Sequence, residues 1–261
     1  MFIDPSWRIL TIGDGDFSFS YALSKISDPK LITASIYDNE QLLMQKYEFH
    51  KLQALRDKGI THLTGFDVKN PDTWQGLSLY SFDVVVFQFP LVPALGSAAN
   101  FKHSESINTL NRALLRTYLE HCFKYFLDPK GPKLAYITSK DVKPYIEWNM
   151  ESSLVNGLDL SYLGKMPFNF DLFPDYKIRN VDRDKHVKQT AAFTHVWGDK
   201  GSFELPISLM KPKELEGDFC AVCRAGPFAT EQESAGHFAS KKHARMTEFE
   251  QQWQDYLKAQ P

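Results

Sequence analysis

The chain has 261 residues, 43% hydrophobic and 24% charged, enough for one large core or a medium core plus a small module. A formal net charge of −2 excludes a global basic field that would draw the molecule onto nucleic acid, so any such contact must come from local patches. Three cysteines exclude a disulfide framework and point to a reducing, intracellular setting, cytoplasmic or, in a eukaryote, nuclear or nucleolar; neither a leader nor a membrane span is expected.

Residues 8–14 read as an apolar strand that breaks into Gly13-Asp14-Gly15-Asp16-Phe17-Ser18, with a helix expected over 17–26. The first glycine allows a sharp turn, and the second lets backbone N–H groups approach a ligand at a helix N-terminus. This layout is a nucleotide-cofactor loop, with Ser18 where the dinucleotide pattern has its third glycine. Gly13 to Ser18 are the expected cofactor contacts.

A second strand, 31–37, ends at Asp38, which reads either as an acceptor for ribose hydroxyls or as the cap of a helix expected over 40–58. Gly59 stops that helix. A third strand, 61–68, carries Asp67, equally a contact to an adenine edge or a turn residue. The run at 82–87, Phe-Asp-Val-Val-Val-Phe, has the continuous apolarity of a strand buried on both faces, and Gln88-Phe89-Pro90 follows it. An amphipathic helix over 107–127 holds Cys122 as a small buried hydrophobe. Then come a strand at 133–138, a helix from Pro144 to 155, and strands at 158–165 and 191–197 with no helix between them.

This succession implies an α/β fold with an open, mostly parallel, seven-stranded Rossmann-like sheet over residues 1–205. A strand pair closing five β/α units is the class I methyltransferase arrangement. Ligands of such sheets sit at the carboxyl ends of the strands, where Gly13, Gly15, Asp38, Asp67 and Gln88 fall.

Residues 206–217, rich in Pro, Lys and Glu, read as a linker to a separate module at 218–261. There Cys220 and Cys223, two residues apart, precede His237 and His243, a set able to close a tetrahedral zinc site. Five residues separate the histidines, so a helix carrying both must bend between them. The spacing and the Ser-Lys-Lys-His ending resemble zinc fingers of the U1-like type. Lys241, Lys242 and Arg245 suit the phosphates of an RNA duplex, with protein contact the alternative.

Gln88-Phe89-Pro90 resembles the Asn-Pro-Pro-Tyr class of motif in nucleobase methyltransferases. The resemblance widens with Gly13-Asp-Gly-Asp-Phe-Ser-Phe-Ser20, Tyr37-Asp38, Asn111-Arg112 with Arg116, Pro144-Tyr145 with Trp148-Asn149, and Phe168 through Tyr176. Together these are similar to the BMT5-like family. The resemblance implies an S-adenosylmethionine-dependent enzyme that methylates uridine N3 in ribosomal RNA. It assigns Gln88, Phe89 and Pro90 to the acceptor base. No residue stands out in the sequence as the base for the N3 proton, which leaves water or Asp16 to take it. Asp14 stands where the family has Glu, and Gln88 and Leu91 where it has Asn and His. The basic loop of Lys177, Arg179, Arg183, Lys185 and Lys188, with Phe168, Phe170 and Phe173 upstream, fits an RNA contact surface. Two alternatives are a non-catalytic RNA-binding protein on the same scaffold and a same-fold methyltransferase for a small molecule or protein.

Overall fold

The computed structural model describes residues 1–93, 105–180, 187–199, 201, 203–212 and 218–260. Its strands are β1 (Ile9–Ile12), β2 (Ile32–Ser35), β3 (Thr61–Leu63), β4 (Val84–Gln88), β5 (Leu134–Lys140), β6 (Leu160–Pro167) and β7 (Ala192–Asp199). They form one sheet in the order β3-β2-β1-β4-β5-β7-β6. The first five strands are parallel, Ile9 standing between Ile32 and Val84. β7 inserts antiparallel between β5 and β6. The closing strand pair is therefore the one the pattern predicts, and the chain has the class I methyltransferase topology.

Because side chains alternate across a pleated strand, β1, β4 and β5 feed two cores. Ile9, Val84, Val86, Leu134 and Tyr136 face one layer, with Phe19, Leu23, Leu43 and Leu55. Leu10, Ile12, Val85, Phe87 and Ile137 face the other, with Leu115, Tyr118, Trp148 and Trp253. This two-sided burial explains the unbroken apolar run of β4.

The helices are α1 (Ser18–Leu23), α2 (Glu40–Lys46), α3 (Leu52–Asp57), α4 (Ile107–His121), α5 (Met150–Ser153), α6 (Glu231–Phe238) and α7 (Lys241–Ala259). The single helix expected over 40–58 is broken, since Tyr47 is extended at φ −126°. The break drops the Tyr47 ring into the core and lets Lys51 N–H donate to the Asp16 carbonyl. The helix expected over 144–155 is likewise split into a 3-10 turn, Tyr145–Trp148, and α5, with Asn149 in the left-handed region between them. The helix expected over 107–127 leaves α geometry after His121 and ends in a π turn, Cys122–Phe126. Cys122 is buried there, its thiol pushed well up by burial.

Of the expected linker, Met210 pairs with Lys165 of β6 through two 2.8 Å backbone hydrogen bonds. A Cβ on Gly164 would meet Leu209 Cβ at 2.8 Å and Met210 O at 2.9 Å, so the missing side chain permits this close approach. Residues 213–217 lie outside the described residues. No helix among the described residues is long and apolar enough to cross a membrane.

Candidate functional site

A crevice of about 590 Å³ opens at the carboxyl ends of β1, β2 and β4. β1 lies between β2 and β4, so strand order reverses here, where an open α/β sheet binds its ligands. Gly13, Asp14, Gly15, Asp38, Asp67, Gln88, Phe89 and Pro90 all line the crevice.

The loop after β1 is shaped for close approach. Gly13 and Gly15 have φ of +61° and +59°. A Cβ on Gly13 would meet the Phe87 ring at 2.7 Å, and one on Gly15 would meet Arg179 Cβ at 3.3 Å. Phe17 is also left-handed, at φ +65°, which turns the chain into α1 and drives its ring into the core. Phe17 and Ser18 consequently lie behind the crevice wall. The Ser18 hydroxyl accepts from Lys177 N–H.

The aspartates separate into distinct roles. Asp14 accepts from the Phe19 and Ser20 amides and from the Ser20 hydroxyl. Burial pushes its pKa up to about 8, and the Asp16 charge adds to this, against those hydrogen bonds. Asp16 is 1% exposed and does not line the crevice. Its carboxylate pairs with Arg179 Nε and accepts from Ser18 N–H. Asp16 thus faces Arg179 and the loop rather than the crevice where a substrate would sit. Asp38 pairs with Lys46, whereas Asn39 caps α2 by accepting from Leu42 N–H. The capping role thus belongs to the neighbour. Asp67 both lines the crevice and accepts from Lys69 N–H in a turn.

At the tip of β4, Gln88 is 6% exposed; among the described residues its Oε1 is buried without a partner and its Nε2 meets only Met1 Sδ at 3.6 Å. Buried amides are normally satisfied, so an orphaned Oε1 on a crevice wall marks a place for a ligand group. Phe89 follows at φ +48° and packs face to face with Phe170 and Tyr176, centroids 6.0 and 6.2 Å away. Pro90 is buried beside it.

The segment at 176–180 straps the glycine loop. Arg179 donates to the Phe49 carbonyl as well as to Asp16 and lies over the Tyr47 ring, and Tyr47 donates to the Asn180 carbonyl. Lys177 and Arg179 both line the crevice, and Arg179 is spent on the loop. Arg183 and Lys185 lie outside the described residues. Sequence reasoning missed Tyr37, Tyr47, Leu114, Tyr145, Tyr176 and Tyr256, which also line the crevice. Tyr37, Tyr145 and Tyr176 carried a signal, each standing in a motif of the family resemblance, though none was assigned to the site.

Cys220, Cys223, His237 and His243 come together, one ligand atom of each lying within 4.8 Å of the others. Both sulfurs stand 3.5 Å from His243 Nδ1. Tetrahedral zinc with Zn–S of about 2.3 Å and Zn–N of about 2.0 Å requires neighbouring ligands about 3.5 Å apart. Among the described residues His237 Nε2 is buried without a partner, so the donor set fits the metal. α6 ends at Phe238, and Ser240 caps α7 by accepting from His243 N–H, which breaks the helix between the histidines. Lys241 and Lys242 are exposed at the start of α7, without an ion-pair partner among the described residues.

A family model described as "rRNA (uridine-N3-)-methyltransferase BTM5-like" matches residues 10–180. The chain is 28% identical over 184 residues to heavy metal-associated isoprenylated plant protein 41 of Arabidopsis thaliana, covering 67% of this chain and 33% of that one. An uncharacterized Arabidopsis thaliana protein is 30% identical over 174 residues, 65% of this chain and 79% of that one. Ferredoxin-fold anticodon-binding domain-containing protein 1 of Homo sapiens is 27% identical over 212 residues, 76% of this chain and 32% of that one. The chain therefore spans about a third of the length of two of these relatives. Among solved structures, the 30S ribosomal A1408 methyltransferase of an uncultured bacterium aligns at a TM-score of 0.43 and 11% identity, over 75% of this chain and 88% of that one.

Proposed function

The chain belongs to the BMT5-like family, and from that premise we propose that it transfers a methyl group from S-adenosylmethionine to N3 of a uridine in ribosomal RNA. The observation that carries this reading is the orphaned Gln88 Oε1 on the wall of a crevice whose glycine loop has no room for side chains. Bound there, the cofactor supplies an electrophilic methyl group on a sulfonium. Gly13 and Gly15 let the backbone approach it closely, and Asp38 offers a carboxylate to ribose hydroxyls. The transfer is an in-line displacement, so positioning supplies most of the rate.

Uridine N3 carries a proton between two carbonyl groups. The Gln88 amide has N–H donors for a carbonyl flanking N3 and an unfilled acceptor beside them, which holds the edge of the base and leaves N3 itself open to water and to the methyl group. A donor at that carbonyl stabilises the negative charge left when the proton departs. With Asp16 held by Arg179, the proton goes to water. Phe89, beside Gln88, supports the flat face of an unpaired or extruded base. Lys177, Arg183, Lys241 and Lys242 serve the RNA backbone, and Arg179 orders the loop beneath.

Cys220, Cys223, His237 and His243 hold a structural zinc ion in this reading. The 218–260 module buries only Cys220, Cys223 and Met246 in a core of its own, too little to hold it together without a metal. A ribosomal RNA substrate puts the enzyme's work in the nucleolus or cytoplasm.

The test is methyl transfer by purified protein to ribosomal RNA, read as nucleosides by mass spectrometry. 3-Methyluridine is expected, reduced about 100-fold in Gln88→Ala while adenosylhomocysteine affinity stays within twofold. Formation of a different methylated nucleoside, or none, refutes the assignment.

A further inference from the structure

The crevice wall is built by the methyltransferase sheet and its loops, with one exception. Among the described lining residues Tyr256 alone comes from beyond residue 187, and it sits on α7, the helix that also carries a histidine of the metal site. We infer that α7 closes the adenosyl end of the cofactor crevice, with Tyr256 as a cofactor-binding residue, so that the Cys/His module is part of the cofactor site rather than an appendage. This rests on the proposed use of S-adenosylmethionine.

The position of Tyr256 is fixed by the way α7 divides its apolar face. Met246 and Phe249 serve the small core around the cysteines, whereas Trp253, Tyr256 and Leu257 join the second core of the large domain. These positions follow the i, i+3, i+4, i+7 spacing of one helix face. Three anchors hold that face down. Arg245 pairs with Glu147, and Glu250 pairs at 2.7 Å with the fully buried Arg112 of α4. Trp253 is fully buried and donates to the Ser153 carbonyl at 3.0 Å. Tyr256 stacks directly on Trp253, centroids 5.4 Å apart and planes 11° from parallel. A ring seated this way is held in place before any ligand arrives.

The chemistry around Tyr256 suits a purine. Leu110, Ala113 and Leu114 of α4 and Val68 give apolar walls on the same side of the crevice. The half-buried phenol has no hydrogen-bond partner of its own among the described residues. Burial, then Glu105 and Glu120, raise its pKa, so it stays a neutral donor. The ribose and amino-acid portions of the cofactor need the polar groups at Gly13 and Asp38, which leaves the apolar end for the base.

Calorimetry on the whole zinc-loaded 261-residue chain tests this with adenosylhomocysteine and with methylthioadenosine, which lacks the amino-acid end. Tyr256→Ala is expected to weaken both ligands equally, by about tenfold, the lower range for losing one base–aromatic contact. Tyr256→Phe keeps the ring and loses about threefold or less. As a second reading on the unmodified chain, saturating adenosylhomocysteine is expected to slow amide exchange in α7 around Tyr256, because coupling between helix and ligand is reciprocal. Wild-type binding with Tyr256→Ala inside twofold, or exchange in α7 unaffected by ligand, overturns the inference and leaves the proposed function standing. Absence of wild-type binding to either ligand overturns the proposed function, and this inference with it.

Discussion

Replacing Glu250 with alanine removes one half of the ion pair that ties α7 to α4. The Arg112 side chain is 0% exposed and that of Glu250 21%, so losing the partner strands a buried guanidinium. Among the described residues Arg112 keeps one hydrogen bond, NH2 to the Glu147 carbonyl at 3.1 Å, and its Nε is already buried without a partner. The Ser153 hydroxyl, which reaches Glu250 at 3.0 Å, loses its acceptor too. Breaking a buried pair from one side costs about 3–5 kcal/mol, most of it the stranded charge. At about 2–4 °C per kcal/mol for a chain of this size, the melting temperature falls by about 6–20 °C. The partner substitution carries the opposite expectation. Arg112→Leu combined with Glu250→Leu removes both charges and is expected to recover most of the loss. Acid acts in the same direction as the single variant. Burial pushes Glu250 up, but Arg112, with Gln254 and Ser153, holds it below its ordinary value, so the pair's contribution is present above about pH 4.5 and disappears as pH falls through the lower folded value. Thermal unfolding followed by circular dichroism decides the matter. A shift under about 2 °C for Glu250→Ala, or a double variant no more stable than the single one, refutes the reasoning.

Gly13→Ala forces a side chain onto a left-handed residue and into the Phe87 ring, and is expected to lower adenosylhomocysteine affinity at least tenfold. Gly59→Ala, equally left-handed but in open space, costs about 1 kcal/mol of stability and leaves binding alone, and calorimetry on the pair separates clash from strain. The Cys/His site is expected to hold one zinc ion by plasma mass spectrometry, and Cys223→Ser or chelation to lower the melting temperature. Metal-free protein with an unchanged melt would remove the ion from the structure. His195 is buried and held neutral, its pKa lowered to about 4 by burial and by Lys165 and Arg224, against the pull of Glu151. The unfolded chain takes up a proton near pH 6.5 that the folded chain refuses until about 4, so about 3 kcal/mol of stability present above pH 6.5 is lost on descending that range. His195→Gln should flatten the dependence of urea midpoints between pH 7 and 5, and an identical slope in both proteins would show that another group titrates.

The order of strands was legible because each carries its own local signal. The unbroken apolarity of β4 announces burial on both faces, and the final strand pair with no helix between announces antiparallel closure. What escaped is where helices stop, because tertiary contacts decide it. Nothing local in Tyr47-Glu-Phe-His50 signals a break, since each residue tolerates a helix. The chain opens there because the Tyr47 ring joins the core, the Phe49 carbonyl accepts from Arg179, and Lys51 N–H reaches the Asp16 carbonyl. These partners are more than a hundred residues away or on another loop. Arg179 is the complementary case, in which composition marks a basic loop and contact with Asp16 turns one of its charges inward.

The site divides along the same line. Residues that act through backbone freedom or position at a strand end, such as Gly13, Gly15, Asp38 and Gln88, are readable because the strand that precedes them is readable. Tyr256 is not, since its stripe on α7 is what any amphipathic helix presents to any core. The decisive residue is Arg112, an arginine on the apolar side of α4 that an isolated helix would push to solvent. Full burial of that charge makes sense only if another segment brings a carboxylate to it, and Glu250, 138 residues later, is that carboxylate. A buried arginine is thus an address for a missing partner. In this chain it selects which face of α7 meets the large domain, and thereby which ring stands at the edge of the crevice.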